Sequence, residues 1–436
     1  MRGVANADLT PEFVLALGRA VARVLGGPCF LIGRDTRISG PLLQAALTAG
    51  LAAEGVAVRD LGVLPTPGVA ALAAADGLPA AMISASHNRF SDNGIKLFAA
   101  GGRKLADTVE ARLTEELGKG VPVPARALSG AAVGAVRPDP GGRERYQQMV
   151  IAALAGQRLD GLRVVLDCAN GAACETGPAL LRLAGAEVVA VIGDQPDGVN
   201  INEQCGSTYP AALQAAVVET GADAGLAFDG DADRVIAVDH SGAIVDGDQM
   251  IAALTLDRMD RGLLAGATVV VTVMTNLGFH LAMAERGVAV HTTPVGDRSV
   301  LEALDRGGWS LGGEQSGHVI FRDLATTGDG VLTGLQLLDA VVRQGRPLAT
   351  LAGEAMSRLP QVLRNVAVAH PAALAGAIGV WDEVRAVEAG FGAQGRVVLR
   401  ASGTEPLVRV MVEAPTHAEA EAAAAHLAEV VAKAIG

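Results

Sequence analysis

The sequence predicts an α/β protein: three similar αβα domains followed by a smaller C-terminal α+β domain around a central cleft. Two observations carry the α/β class and its repetition. Short β-branched runs alternate with Ala/Leu-rich helical stretches, and the same strand, turn, helix, strand plan recurs at intervals of more than one hundred residues. A third is the composition, with half of the 436 residues hydrophobic, only 3% aromatic, and 55 Gly dividing the chain too finely for a coiled coil. That length suggests two to four domains rather than one compact core.

The first element is an amphipathic helix from Phe13, its apolar run broken by Arg19 and Arg23, which is no secretory signal. The first repeat follows: strand Cys29-Phe30-Leu31-Ile32, turn GRDTRISG, helix from Pro41, strand Val56 to Asp60. The second runs from Arg163-Val164-Val165-Leu166 through DCANGAA to a helix around Pro178 to Leu183 and a strand at Val188 to Ile192. The third begins at Thr268-Val269-Val270-Val271, turns through MTNLG and returns at Val288 to Thr292. Each turn lies beside a helix N-terminus, where backbone N–H groups favour anions. Pro138-Asp139-Pro140-Gly141-Gly142 reads as a linker, and Leu359-Pro360 sets off the last segment. The expected domains are residues 1–140, 141–246, 247–360 and 361–436.

No window reaches the 18 unbroken apolar residues of a membrane span, so a soluble protein without a membrane partner is expected. Net charge is −12, which disfavours a nucleic-acid partner, since such surfaces need basic stripes. An anionic substrate must then meet local clusters of positive charge. Four Cys form no CxxC pair and fit reduced thiols in a cytoplasmic location.

Four loops carry chemistry. Ser86 sits where the run Ala81-Met82-Ile83 stops at a small polar turn, with His87, Asn88 and Lys96 near enough to steady a phosphate beside its hydroxyl. Such a turn could equally be one whose Ser and Asn bond their own backbone. FDGDADRV places Asp229, Asp231 and Asp233 at alternate positions after an apolar run. Three close carboxylates repel unless a cation lies between them. Their hard oxygens suit Mg²⁺, and the distant Glu that completes a calcium loop is missing. The bland alternative is a solvated acidic turn. GGEQSGHV joins a Gly pair to Glu314, Ser316 and His318, groups able to grip sugar hydroxyls. RASGTEPLVRV supplies Arg400, Ser402, Gly403, Thr404 and Arg409, the donors a phosphate dianion needs; the alternative is a surface turn with paired arginines.

These four loops, in this order, resemble the α-D-phosphohexomutase superfamily, supported by PDGVNINEQCGST (Pro196 to Thr208), GGEQSGH and TTGDGVLTGLQLL from Thr326. The resemblance runs from Arg2 to about Glu413. It implies four domains around a cleft, Ser86 as a phosphoserine that also faces the metal, and Asp229, Asp231 and Asp233 as Mg²⁺ ligands. It further implies Glu314, Ser316 and His318 as the sugar reader and the Arg400 to Arg409 loop, with Ser402, Gly403 and Thr404, as a phosphate clamp. Arg2, His87, Lys96, Arg234 and His318 fall among active-site positions, with Arg2, Lys96 and His318 as acid–base candidates. The implied substrates are small phosphosugars, and the expected reaction interconverts glucosamine 6-phosphate and glucosamine 1-phosphate through a bisphosphate. The alternatives are the mannose or glucose phosphates, or an inactive sugar-phosphate-binding protein. Two departures bear on this. Arg89 replaces the family's Pro, which is expected to loosen the serine loop. The strand and GTDG-type turn that precede Arg2-Gly3 in the family are absent, which predicts an Arg2 that frays, with the true start upstream.

Overall fold

The computed structural model describes residues 1–120, 128–402 and 405–436. It contains four sheets of six, five, four and three strands. In the first, strands Cys29–Arg34, Ala57–Val63, Ala80–Ile83 and Val136–Pro138 run parallel, and Asp92–Phe98 turns back antiparallel to Ala80–Ile83. In the second, Arg163–Asp167, Glu187–Ile192 and Ala224–Phe228 are parallel, and Val235–Asp239 returns antiparallel to Ala224–Phe228. The third repeats the scheme, with Val319–Phe321 antiparallel to Leu311–Gly313 beside the parallel strands Thr268–Thr272 and Ala289–Thr293. The fourth is wholly antiparallel, built on Gln361–Ala367, Arg396–Ala401 and Leu407–Glu413.

The repeat therefore has a further part. Each of the four sheets contains an antiparallel hairpin, and the connections of those hairpins are 84–91, 229–234, 314–318 and 402–406, the four loops singled out by their chemistry. An antiparallel return needs only a short connection, so the two ends of each are anchored by paired strands.

One expectation, that Arg2 frays, needs correction. A continuous apolar cluster joins the first three sheets, whereas the fourth has its own core. Helix Gly330–Gln344 packs against strands of the second and third sheets, and Gly330 through Val341 are all buried, so it is covered by neighbours on every side. Arg2 does not fray: Arg2–Val4 forms an edge strand paired with Asp92–Gly94, and Ile95 N–H donates to the Met1 carbonyl at 3.0 Å. At the start of the segment 138–142, Val136–Pro138 pairs with Ala57–Val63 and Asp139 N–H donates to the Asp60 carbonyl at 2.7 Å.

Among the described residues no helix is long and apolar enough to cross a membrane.

Candidate active site

Strand Ala80–Ile83 is buried at every position, and it delivers Ser86 into the interior, where the serine is 2% exposed. Ser86 adopts φ +56, a left-handed conformation that L-residues avoid unless held. Its N–H donates to Ser84 Oγ at 2.9 Å, and its own hydroxyl donates to Asp229 Oδ2 at 2.5 Å.

Asp229, Asp231 and Asp233 cap the equally buried strand Ala224–Phe228 and offer oxygens within 4.8 Å of one another. Burial, then repulsion by Asp233 and Asp231, pushes the Asp229 carboxyl up to about 8. Asp233 is held well below the carboxylate range: burial would raise it, but Lys96, His318 and Arg234 outweigh that. Lys96 Nζ spans two members, 2.6 Å from Asp231 Oδ2 and 2.9 Å from Asp233 Oδ2. Burial alone would lower the Lys96 ammonium, and the two carboxylates instead hold it above its ordinary value.

Whether the triad suits a cation can be judged from its unused oxygens. Asp231 Oδ1 and Asp233 Oδ1 are buried without a hydrogen-bond partner, and buried carboxylate oxygens are rarely left so. Hard oxygen donors with spare lone pairs in a closed anionic cluster fit a divalent cation.

His318 is 2% exposed with Nδ1 3.7 Å from Asp233 Oδ1. Burial disfavours its imidazolium, yet Asp233 and Asp297 raise its pKa above the usual histidine value. The turn carrying it is packed against the metal-loop hairpin: Gly317 has φ +86, Val235 N–H donates to its carbonyl at 3.1 Å, and a Cβ at Gly317 would lie 1.9 Å from the Val235 carbonyl oxygen. Glu314 is buried and accepts from Gly296 N–H at 3.0 Å, while Ser316 is exposed. His87 Nδ1 lies 3.2 Å from Arg234 Nη1; burial first, and then Arg234 and Arg2, lower its pKa. Arg2 Nη1 donates to Asn88 Oδ1 at 3.4 Å on the exposed rim.

Three hairpin turns thus meet, bringing together Ser86, His87, Lys96, the three Asp, Arg234, Glu314 and His318. The fourth hairpin carries Arg400, Ser402 and Arg409. Arg400 and Arg409 face each other in register, Arg409 pairs with Glu405 at 3.3 Å, and Ser402 Oγ accepts from Glu405 N–H at 3.2 Å. Among the described residues neither arginine forms an ion pair with the other turns. Gly403 and Thr404 lie outside the described residues.

Sequence reasoning missed several contributors. Arg37, in the turn GRDTRISG, is fully buried, paired with Asp35 at 2.8 Å, and donates to the carbonyls of Ser86 (2.8 Å), Asn88 (2.9 Å), Asp92 (3.0 Å) and Arg89. The sequence predicts an anion site at this turn beside a helix; its cation Arg37 instead faces carbonyls. It also corrects the expectation for Arg89, since the loop lacking proline is clamped through its backbone. Thr66 donates from Oγ1 to Asp231 Oδ2 at 2.5 Å and from its N–H to the Asp231 carbonyl at 2.9 Å. Asn202, inside PDGVNINEQCGST, donates to the carbonyls of Ser86 and Asn88. Only Asn202 carried a signal, an Asn among turn-forming residues.

Comparison with known proteins agrees along the chain. The alpha/beta/alpha domains I, II and III of phosphoglucomutase/phosphomannomutase match residues 1–121, 144–242 and 246–359, and its C-terminal domain matches 363–430. The chain is 55% identical over 439 residues to a phosphoglucosamine mutase of Saccharopolyspora erythraea, covering 99% of this chain and 97% of that one. It is 54% identical over 421 residues to one of Rhodococcus opacus, covering 95% and 94%. A crystal structure of a phosphoglucomutase/phosphomannomutase family protein from Burkholderia thailandensis superposes with a TM-score of 0.81 at 27% identity, covering 100% of this chain and 96% of the other.

Proposed function

The chain belongs to the phosphoglucomutase/phosphomannomutase family, and from that premise we propose that it interconverts glucosamine 6-phosphate and glucosamine 1-phosphate, with Ser86 as the phosphoryl carrier. The observation that carries the reading is the Ser86 hydroxyl, buried and hydrogen-bonded to Asp229 inside a cluster of three carboxylates. The amino sugar follows from the name shared by relatives above 50% identity.

In the resting enzyme Ser86 Oγ carries the phosphoryl group. The free hydroxyl of the bound sugar phosphate attacks phosphorus, its O–P bond forms as the Ser86 O–P bond breaks, and the serine oxygen leaves. The product is the 1,6-bisphosphate. After reorientation, the phosphate on the other position is transferred back to Ser86 Oγ, and the second sugar phosphate is released. Each transfer moves one proton, from the attacking oxygen to the leaving one. Lys96, His318 and Arg2 are the candidates to carry it. Neighbouring carboxylates raise the pKa of both Lys96 and His318, which favours the protonated form of each.

Asp229, Asp231, Asp233 and the Ser86 oxygen would hold Mg²⁺, which offsets charge on the transferring group. Glu314, Ser316 and His318 read the sugar hydroxyls, with His87 and Arg234 at the rim of the transferring phosphate. Arg400, Ser402, Gly403, Thr404 and Arg409 grip the phosphate that is not reacting. Two guanidiniums in register on one hairpin, Arg400 and Arg409, are the donors that support this role. A location in the cytoplasm, where phosphosugars are made, belongs to the same reading.

A coupled assay of the purified chain with glucosamine, glucose and mannose 6-phosphates tests the proposal. Glucosamine 6-phosphate should give the highest kcat/KM. Preference for either of the others would replace the substrate, and no turnover of any would reduce the protein to a phosphosugar binder.

A further inference from the structure

We propose that Asn202 is a positioning residue for the reaction, through which the PDGVNINEQCGST loop holds the serine turn in its reactive shape. The inference rests on the reading of Ser86 as the phosphoryl carrier.

Ser86 must be kept in a left-handed backbone conformation, and its turn exposes several carbonyls that need donors once buried. Arg37, from a turn of the first sheet, donates to the Ser86 and Asn88 carbonyls among others. A second donor to the same two carbonyls comes from the loop that follows the second sheet's strand Glu187–Ile192. Asn202 Nδ2 donates to the Ser86 carbonyl at 2.9 Å and to the Asn88 carbonyl at 3.1 Å, across 116 and 114 residues of sequence. The amide thereby serves the carbonyls of the two residues on either side of His87, so the turn that carries Ser86 is held from a second part of the chain. Gly230 closes the other side: a Cβ there would lie 2.6 Å from the Ser86 carbonyl oxygen and 2.8 Å from Asn202 Nδ2.

Asn202 is itself built to be rigid. It is 7% exposed, has φ +58, a region Asn tolerates better than most residues, and its N–H donates to the Ala169 carbonyl at 2.9 Å. The side chain touches neither the Asp triad nor Glu314 or His318 through its hydrogen bonds, so its effect falls on the carrier and not on the metal or sugar contacts. Positioning at this distance matters because phosphoryl transfer depends on alignment of attacking and leaving oxygens.

Two variants test this. Asn202→Asp keeps shape and tolerance of positive φ but turns an oxygen toward two carbonyls; Asn202→Gly keeps the backbone and removes the amide. Both should lower kcat for glucosamine 6-phosphate about tenfold or more, the loss of two buried hydrogen bonds, while KM stays within about twofold. The rate at which Ser86 takes up phosphate from a hexose 1,6-bisphosphate, read as about 80 Da by intact mass, should fall in the same proportion. The melting temperature separates alignment from folding. Unchanged kcat, a raised KM at constant kcat, or a kcat loss matched by loss of folded protein would each overturn the proposal. A wild-type chain that accepts phosphate on Ser86 yet turns over no hexose phosphate would defeat the mutase reading alone, and the uptake rates would still decide the role of Asn202. No uptake by the wild type overturns both.

Discussion

Thr66 holds Asp231 twice, through its hydroxyl to the carboxylate at 2.5 Å and through its N–H to the carbonyl at 2.9 Å, although the two residues are 165 apart in sequence. Thr66 opens helix Thr66–Asp76 of the first sheet's layer, so this pair fixes the acidic turn against the serine-bearing part of the molecule. Thr66→Val keeps the shape and removes the hydroxyl. Loss of a hydrogen bond to a charged group should cost about 1.5 to 3 kcal/mol in urea unfolding. Stability indistinguishable from wild type would mean that the hydroxyl contact is not formed in solution.

Ser86→Ala should abolish mutase turnover while leaving phosphosugar binding largely intact, because the loops proposed to read the sugar and grip the phosphate lie on other hairpins. The phosphoprotein mass increment should vanish with it. Wild-type turnover by this variant would remove Ser86 from the reaction.

Asp231→Asn takes one negative charge from a cluster whose spare oxygens call for a cation. Activity should fall and the Mg²⁺ titration should shift to higher concentration, and stripping the wild type with a chelator should stop turnover until Mg²⁺ is restored. An unchanged titration contradicts the metal assignment.

Arg409→Ala should raise KM for phosphosugars and lower turnover, by about 1.5 to 3 kcal/mol in kcat/KM, since charge-assisted bonds to phosphate are the strong ones. Its present partner, Glu405, is a half-exposed residue on the same turn, so little stability is at stake. Kinetics equal to wild type would place the guanidinium outside the site.

Asp329 gives a pH dependence with a definite sign. It is fully buried, accepts from Tyr146 Oη at 2.9 Å, and burial pushes its carboxyl up to about 6 from an ordinary 3.8. The folded state therefore keeps a proton that the unfolded chain has lost between those values. Its contribution is present below the unfolded pKa and disappears as pH rises through about 6, an effect of roughly 2 to 3 kcal/mol. Asp329→Asn can still accept from Leu332 N–H and has no proton to lose. The variant should thus gain stability relative to wild type on going from pH about 4 to pH about 7 by the same linkage. An equal difference at both pH values would show that this carboxyl titrates normally.

Local patterning determined a good deal here. Apolar runs ending at Ile83 and Phe228, followed by small or acidic residues, announce buried strands that deliver polar groups, and those signals are contiguous in sequence. Ser86, Asp229, Asp231 and Asp233 could be picked out for that reason. The α/β class and its threefold repeat were legible in the same way, from the alternation of short β-branched runs with helical stretches. The hairpin turns that unite all four loops are not legible in the sequence, because antiparallel return is a property of strand pairing and leaves little composition of its own.

Tertiary structure alone decided which distant groups hold those residues. Arg37, Thr66 and Asn202 are single polar residues whose partners lie 49 to 165 positions away, and no local pattern tells a buried arginine facing carbonyls from one facing an anion. It also decided that the first three sheets share one core, since burial of helix Gly330–Gln344 on every side depends on which sheets surround it. The physical reason is common to both cases. A sequence encodes propensity and periodicity over a few turns of chain, whereas hydrogen-bond partners and contacts across sheets are chosen by packing, when buried polar groups must be satisfied by whatever donors the fold brings near.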